Sequence, residues 1–276
     1  MKLTVAGVAV SSALLLLTAV ARADTQTVGF GPTQATLTFA PISDPTGYDA
    51  MALSITRGGV PLVNEAPTVR GCQQPNCWPA NGTEADSVKV ADLDGDAEPE
   101  VVLDLYTAGA HCCFASIIYR FNGSSFDRLE HSFADAGYRL RDLDGDARPE
   151  FVSADTRFNY RFASFAGSAN PLRVFSLEHG ALRDVTRGFA ADIRKDAARW
   201  WRIFQGRKHS ANREPLGALA GWVGDEYLVG NRASALRRLR HLARAGDLRG
   251  LPPYRSGTRY VTDIDGFLTR LGYRRP

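Results

Sequence analysis

The chain contains little cysteine and little lysine, and no long hydrophobic run follows its first residues. Four cysteines in 276 residues are too few for a disulfide scaffold of this size. Only four of the 33 basic residues are lysines, so arginine-rich codon usage explains much of the arginine content. No later run approaches the roughly 18 apolar residues of a membrane-spanning helix. The composition, 44% hydrophobic and 23% charged, excludes disordered, collagen-like and coiled-coil proteins.

Several common catalytic motifs are also missing. The chain has no G-x-S-x-G nucleophile elbow, no H-E-x-x-H zinc motif, no P-loop and no G-x-G-x-x-G dinucleotide fingerprint. It has no basic segment interleaved with aromatic residues and no recognisable nucleic-acid-binding motif. We therefore expect no nucleic-acid partner, and the sequence does not indicate any of these enzyme classes.

The first 23 residues have the pattern of a secretory signal peptide. Lys2 precedes an apolar run over residues 3–20, and Ala21-Arg22-Ala23 supplies the small-x-small pattern of a cleavage site. We expect cleavage after Ala23 and export of residues 24–276, without a transmembrane segment, to the periplasm, the cell wall or the medium. An uncleaved membrane anchor is the alternative, which the short apolar run disfavours.

The two halves of the chain differ in charge, which indicates two domains. Residues 1–186 contain 14 basic and 22 acidic residues, whereas residues 187–276 contain 19 and 8. We predict an α+β protein with a β-rich repeat domain over residues 24–186 and a small, basic, helical C-terminal domain over residues 187–276.

A nine-residue pattern, D-L-D-G-D-A-x-P-E, occurs twice in the acidic half, 50 residues apart. It begins at Asp92 and at Asp142, and apolar residues alternate with polar ones on its flanks. Each copy is followed by two more apolar segments, which join at Asn122-Gly123 and at His179-Gly180. We predict four strands per copy, with the acidic segment between the first two. An earlier hairpin is predicted over residues 53–63.

The acidic segments have the composition of a calcium-binding loop. Carboxylates at positions 1, 3, 5 and 9 can surround one point, and calcium binds six to eight oxygens, including backbone carbonyls. The flanking strands and the glycine at position 4 distinguish these loops from an EF-hand. A solvated acidic turn is the alternative. The predicted ligands are Asp92, Asp94, Asp96, Glu100 and the carbonyl of Glu98 in the first segment (loop 1), and Asp142, Asp144, Asp146, Glu150 and the carbonyl of Arg148 in the second (loop 2).

This pattern between strands resembles the FG-GAP/VCBS repeats of integrin-type β-propellers. Those proteins bind calcium through carboxylates at the same four loop positions, so the resemblance implies the same ligands here. The whole chain also resembles small secreted VCBS-repeat proteins of GC-rich bacteria, whose function is undefined. Two positions depart from the family: position 9 is glutamate, and position 6, often glycine, is Ala97 in loop 1 and Ala147 in loop 2. An alanine at position 6 predicts a strained bend.

A complete propeller needs at least four blades of about 40–50 residues. Residues 24–186 are enough for about three such units, and only two of them carry the acidic pattern. We therefore expect an incomplete propeller or an array of sheets, with its open edge covered by the helical domain.

The four cysteines and His111 are compatible with either disulfide bonds or a metal or thiol site. The cysteines are Cys72, Cys77, Cys112 and Cys113. In an exported protein we expect disulfides. Two local bridges, or two bridges between the pairs, are both possible, and Pro75-Asn76 favours the local ones by turning the chain. His111 beside the last pair offers an alternative, a soft-metal or thiol site.

From Phe189 onward, apolar residues recur at helical spacing and predict four amphipathic helices. Four arginines crowd the third: Arg237, Arg238, Arg240 and Arg244. We favour a solvated face that docks on the acidic half over a surface for anionic polymers. Asp263 and Asp265 are predicted at a helix N-terminus. The predicted apolar stripes are Phe189, Ile193, Ala197, Trp200 and Phe204; Leu216, Leu219, Val223 and Tyr227; Leu236, Leu239 and Leu242; and Val261, Ile264, Phe267, Leu268 and Leu271.

These patterns predict an exported, calcium-binding, non-enzymatic protein that acts in binding or at the cell surface, with a polymer or a protein as partner. The alternative is a secreted hydrolase with its site near His111 and the acidic loops. A third hypothesis is a soft-metal or redox protein. Asp104 and Asp155, which follow the two copies, could be paired catalytic acids, but we favour a structural role for both.

Overall fold

Three antiparallel sheets and then four helices follow one another along the chain in the computed structural model. It describes residues 23–41, 48–72, 78–80, 86–110, 112–248, 251, 253–254 and 256–274. Apart from Ala23, the predicted signal peptide lies outside these residues. The predicted α+β class, with β structure first and helices last, is confirmed.

The first sheet is an up-and-down array in the order β1-β2-β3-β4. Its apolar residues alternate along β2 and β3, so that Leu37, Leu53 and Ile55 are buried on one face. The predicted hairpin over residues 53–63 is confirmed, and its turn is made by Gly58 and Gly59, both with positive φ. The strands are β1 (Asp24–Phe30), β2 (Thr33–Pro41), β3 (Tyr48–Arg57) and β4 (Val60–Glu65).

The second sheet has its most buried strand, β7, in the middle. Both β5 and β6 pair with β7, which continues to β8 and β9. Every residue of β7 except the last is buried, because both faces of this sheet are covered. The strands are β5 (Trp78–Pro79), β6 (Val88–Ala91), β7 (Glu100–Tyr106), β8 (Phe114–Phe121) and β9 (Phe126–Ala134).

The third sheet has the order β10-β11-β12-β13. The turn between its last two strands is His179-Gly180, where both residues have positive φ, as predicted for a tight hairpin. The prediction of four strands around each acidic segment is confirmed for both copies. No closed propeller is formed by the residues that the structure describes. The strands are β10 (Arg139–Arg141), β11 (Glu150–Ala154), β12 (Leu172–Glu178) and β13 (Ala181–Asp184).

The sheets pack in series, with the second sheet in the middle. Alternate residues of β7 point to opposite faces, so Val101 and Leu103 pack toward the first sheet. Val102, between them, packs toward Phe151 of the third sheet. The chain therefore buries two separate β-cores, one on each side of the second sheet.

Four helices form the last layer, as the apolar spacing predicts. They are α1 (Ala190–Arg207), α2 (Pro215–Leu228), α3 (Arg232–Ala245) and α4 (Gly257–Arg270). Most of the predicted stripe residues are buried in one core, with Trp200 and Leu271 partly buried. Within the described part of the chain, no helix combines the length and apolarity needed to cross a bilayer.

The placement of Asp263 and Asp265 at a helix N-terminus is wrong. The helix begins at Gly257, so both aspartates lie in its interior. Gly257 packs closely on α3 and on the residues that follow it: a Cβ there would lie 3.1 Å from the Cβ of Ala243 and 2.8 Å from that of Leu248. The resulting register lets Asp265 pair with Arg232 of α3 at 2.8 Å.

The helical layer packs at one end of the third sheet. Leu172, the first residue of β12, contacts the helical core, and its backbone N–H donates to Asp225 of α2 at 3.2 Å. Phe158 and Phe162, in the connection between β11 and β12, belong to the same core. The helices therefore contact the sheet through strand ends and this connection.

Candidate functional site: two acidic loops

The carboxylate of the first aspartate in each acidic loop accepts hydrogen bonds from backbone N–H groups later in the same loop. Asp92 accepts hydrogen bonds from the backbone N–H groups of Gly95 at 2.7 Å and Ala97 at 3.0 Å. Asp142 accepts the matching bonds in loop 2, at 2.7 and 3.0 Å. Side-chain bonds to backbone N–H groups further along the chain are typical of aspartate in tight turns. The two loops therefore share one backbone design.

The sixth residue of each loop has the left-handed conformation that suits glycine. Ala97 has a φ of 66° and Ala147 a φ of 67°. A side chain in this region is strained, because its Cβ crowds the backbone. The predicted strained bend is therefore present in both loops.

Three aspartates come together in each loop. Oxygen atoms of Asp92, Asp94 and Asp96 all lie within 4.8 Å of one another, and so do those of the second set. The second set is Asp142, Asp144 and Asp146. This spacing lets one cation contact all three carboxylates of a loop.

The position-9 glutamates are buried and lie outside each group of mutually close oxygens. Oε2 of Glu100 accepts from the backbone N–H of Leu93 at 2.8 Å, and Oε2 of Glu150 accepts from Leu143 at 2.9 Å. Oε1 of Glu100 is buried, and no residue in the described part of the chain forms a hydrogen bond with it. Burial raises the pKa of Glu100 to about 8, and burial also raises the pKa of Glu150. A nearby cation would favour the ionised form of both groups.

The position-7 residues were predicted to contribute backbone carbonyls, and their side chains form ion pairs. Glu98 accepts from Arg57 of the first sheet at 2.5 and 3.0 Å. The guanidinium group of Arg148 pairs with Asp146, and this hydrogen bond lowers the pKa of Asp146. The side chain of Arg148 also packs over Gly95, so the two loops are neighbours.

The structure adds one residue that the sequence did not indicate. Arg120 of β8 pairs with Asp94 and with Asp96, each at 2.6 Å. It lies 24 and 26 residues beyond these partners, and nothing in the repeated pattern singles it out. The contact between Arg120 and loop 1 is evident only once β8 is placed beside β7 in the sheet.

The cysteine pairing stays a prediction. The sulfur atoms of Cys112 and Cys113 are in contact, and Cys72 is buried. Cys77 and His111 lie outside the described residues. The described residues therefore provide no distances with which to test the soft-metal, thiol and hydrolase hypotheses, all of which depend on His111.

Asp104 and Asp155 are both engaged in contacts between layers. Asp104 accepts from Lys89 at 2.6 Å and from the hydroxyl of Tyr138 at 2.9 Å. Asp155 pairs with the nearby Arg157 at 2.5 Å and accepts a hydrogen bond of 2.7 Å from the hydroxyl of Tyr273, after the last helix. These contacts agree with the structural role that we favoured.

The four arginines of α3 are exposed, as predicted for a solvated helix surface, whereas the docking of this face on the acidic half stays a prediction. The guanidinium group of Arg238 lies 4.2 Å from the ring centroid of Trp201 in α1. This stacking uses an exposed arginine for packing between helices.

Two relatives match about half of the chain. A protein of Synechocystis sp. named a probable thylakoid lumen protein is 31% identical over 156 residues, which are 52% of this chain and 44% of that protein. An uncharacterized protein of Sinorhizobium fredii is 31% identical over 147 residues, 50% of this chain and 22% of that protein. The matches thus span less than half of either relative. No protein-family model and no solved structure matches the chain.

Proposed function

We propose that this chain is an exported, non-enzymatic protein that binds calcium in its acidic loops and serves as a binding module at the cell surface. Its partner would be a surface polymer or another protein. Calcium would have a structural role: it would neutralise the loop and hold the first two strands of a sheet in register.

The paired carboxylate clusters carry this proposal. Three carboxylates whose oxygens lie within 4.8 Å of one another repel unless a cation lies among them. Backbone N–H groups donate hydrogen bonds to the carboxylate of the first aspartate in each loop, but they do not carry a full positive charge. A divalent ion would remove the repulsion that remains.

The donor set suits calcium. All predicted side-chain ligands are carboxylates, the hard oxygen ligands that calcium prefers, and no thiol or imidazole belongs to either cluster. In loop 2 the buried Glu150 lines one cavity with Asp144 and Asp146, so its carboxylate is placed to add a further oxygen ligand. Bound calcium would supply positive charge and additional coordination, and the loop residues would orient the carboxylates.

Two observations support export. The first residues have the pattern of a cleavable signal peptide. The Synechocystis relative is named for the thylakoid lumen, a compartment that proteins enter by crossing a membrane. An exported location would also expose the loops to millimolar calcium. The interaction role rests on the resemblance to integrin-type repeats alone.

Thermal unfolding in millimolar calcium and in chelator tests the calcium proposal. At a calcium concentration 100 times the Kd, one bound ion stabilises the fold by about 2.7 kcal/mol, which raises the Tm by roughly 5 to 11 °C. Asp142→Asn combined with Asp144→Asn should reduce this rise, whereas the exposed Asp86→Asn should keep it. An unchanged Tm for the unsubstituted chain would refute structural calcium.

A further inference from the structure

The two acidic loops differ in the residue that faces them from the adjacent strand. In the second sheet Val101 pairs with Tyr119, and in the third sheet Phe151 pairs with Phe175. The next residue along β8 is Arg120, and the next along β12 is Ser176. A long cation therefore faces loop 1 where a short hydroxyl faces loop 2.

Arg120 reaches into the carboxylates of loop 1. Its Nε lies 2.6 Å from Oδ2 of Asp94, and its Nη2 lies 2.6 Å from Oδ2 of Asp96. The same Nε is 3.8 Å from Oε1 of Glu100. One guanidinium group thus contacts three of the four carboxylates that were predicted to bind calcium in this loop.

The burial of Glu100 makes the charge beside it important. Glu100 is completely buried, and no described residue forms a hydrogen bond with its Oε1. The guanidinium group of Arg120 is the positive charge that faces it. An ionised carboxylate is costly to bury without a partner, and in loop 1 the guanidinium group of Arg120 supplies positive charge 3.8 Å from this oxygen.

Loop 2 is open at the corresponding point. A cavity of about 320 Å³ is lined there by Asp144, Asp146, Glu150 and Ser176, together with Arg148 and the residues just before α1. No described residue donates a hydrogen bond to Oδ2 of Asp144, whereas the matching oxygen of Asp94 is taken by Arg120. The side chain of Ser176 is too short to fill this space.

Loop 2 has its own arginine, but its position differs. Arg148 contacts Asp146 alone among the loop carboxylates, and its side chain is 54% exposed. The side chain of Arg120 is 27% exposed and bridges two aspartates. Both arginines make two charge-assisted hydrogen bonds, but those of Arg148 both go to Asp146, whereas those of Arg120 engage two aspartates of loop 1.

We propose that the guanidinium group of Arg120 is the resident cation of loop 1, so that the chain binds one calcium ion, in loop 2, rather than two. This inference rests on the proposed calcium binding and specifies which loop performs it. Like charges exclude each other, so calcium enters loop 1 only if Arg120 leaves.

Equilibrium dialysis with calcium alone tests the stoichiometry. The unsubstituted chain should bind one ion. Arg120→Ser, which gives loop 1 the residue of loop 2, should bind two. Ser176→Arg, the reverse exchange, should bind none. Far-UV circular dichroism establishes that each variant is folded.

Single-loop substitutions locate the ion even if Arg120→Ser does not fold. Asp144→Asn should reduce the affinity at least tenfold, whereas Asp94→Asn should leave affinity and stoichiometry unchanged. Two ions in the unsubstituted chain, or loss of its ion in Asp94→Asn, would overturn the inference and keep the calcium function. No ion in the unsubstituted chain would instead refute the proposed function itself.

Discussion

The hydroxyl of Tyr273, after the last helix, donates a hydrogen bond of 2.7 Å to Oδ2 of Asp155, 118 residues earlier at the end of β11. Tyr138 makes a comparable bond of 2.9 Å to Asp104 of the second sheet. In each case a tyrosine from the next layer binds an aspartate of the layer before it. The helical layer therefore contacts the third sheet through a tyrosine–aspartate hydrogen bond. A bond of the same kind joins the third sheet to the second.

Removing the hydroxyl of Tyr273 tests this contact. Burial acts to raise the pKa of Asp155, but hydrogen bonds from Arg157 and Tyr273 outweigh it and lower the pKa. Tyr273→Phe should destabilise the chain by about 1 to 2 kcal/mol, because a buried acceptor loses a donor. Urea unfolding measures this loss.

The matched control is Tyr48→Phe. Tyr48 packs against Phe39 through its ring, and no described residue bonds to its hydroxyl. The Tyr48→Phe substitution should change the free energy of unfolding by less than about 0.5 kcal/mol. Equal effects of the two substitutions would show that the bond to Asp155 contributes nothing.

Asp225 should make the stability of the chain depend on pH. It is completely buried in α2, and burial, together with the carboxylate of Asp196 in α1, raises its pKa well above the ordinary value of 3.8. Arg199 and the N–H of Leu172 oppose this shift but do not cancel it. In the folded state the group therefore keeps its proton at pH values where the unfolded chain has lost it.

The sign follows from proton linkage. As pH rises above 3.8, the unfolded chain releases its proton first, so the free energy of unfolding falls, by at most about 1.4 kcal/mol per pH unit, until the folded carboxyl also ionises. Asp225→Asn should remove this slope and stabilise the chain near neutral pH. Urea unfolding at several pH values measures it, with Asp86→Asn as control. An unchanged slope in Asp225→Asn would contradict the assignment.

Two helix glycines should respond in opposite ways to alanine. A Cβ at Gly217 of α2 would overlap the carbonyl oxygen of Gly167 and lie 2.9 Å from the Cβ of Ala163. Gly217→Ala should therefore destabilise the chain by about 1 to 3 kcal/mol. At Gly206 of α1 a Cβ meets nothing within 4 Å, so Gly206→Ala should stabilise by about 0.5 to 1 kcal/mol.

Thermal unfolding of both variants measures this difference. The close approach at Gly217 brings α2 against the connection between β11 and β12, which joins the helical layer to the third sheet. A neutral Gly217→Ala would mean that α2 does not pack this closely.

Replacing a position-6 alanine with glycine should stabilise the fold. Ala97 and Ala147 both have positive φ, where alanine is strained and glycine is not. Ala147→Gly should raise the free energy of unfolding by about 0.5 to 1 kcal/mol in chelator. Chemical denaturation measures the gain, and Ala136→Gly, at a position without positive φ, should give none. A loss of stability at Ala147→Gly would show that the bend is not strained.

Local patterns in the sequence predicted the elements of this fold. Apolar segments joined at Asn122-Gly123 predict β8 and β9, and the spacing of Leu216, Leu219 and Val223 defines one face of α2. Each of these signals lies within a few residues, where chain geometry alone fixes which side chains share a face.

Contacts between distant residues could not be predicted in this way. Arg120 reaches loop 1 only because β8 pairs with β7, and Tyr273 reaches Asp155 only after the helices have packed. The start of α4 at Gly257 lies against Ala243 of α3, a contact that the sequence does not reveal. The repeated acidic pattern predicted both carboxylate clusters, but the feature that distinguishes them lies outside the pattern.

Anomalous scattering from crystals grown in calcium tests the central claim most directly. The account predicts one anomalous difference peak, among Asp142, Asp144 and Asp146, with the guanidinium group of Arg120 still bound to Asp94 and Asp96. Absence of a peak in loop 2, or a peak in loop 1 with Arg120 displaced into solvent, would contradict it.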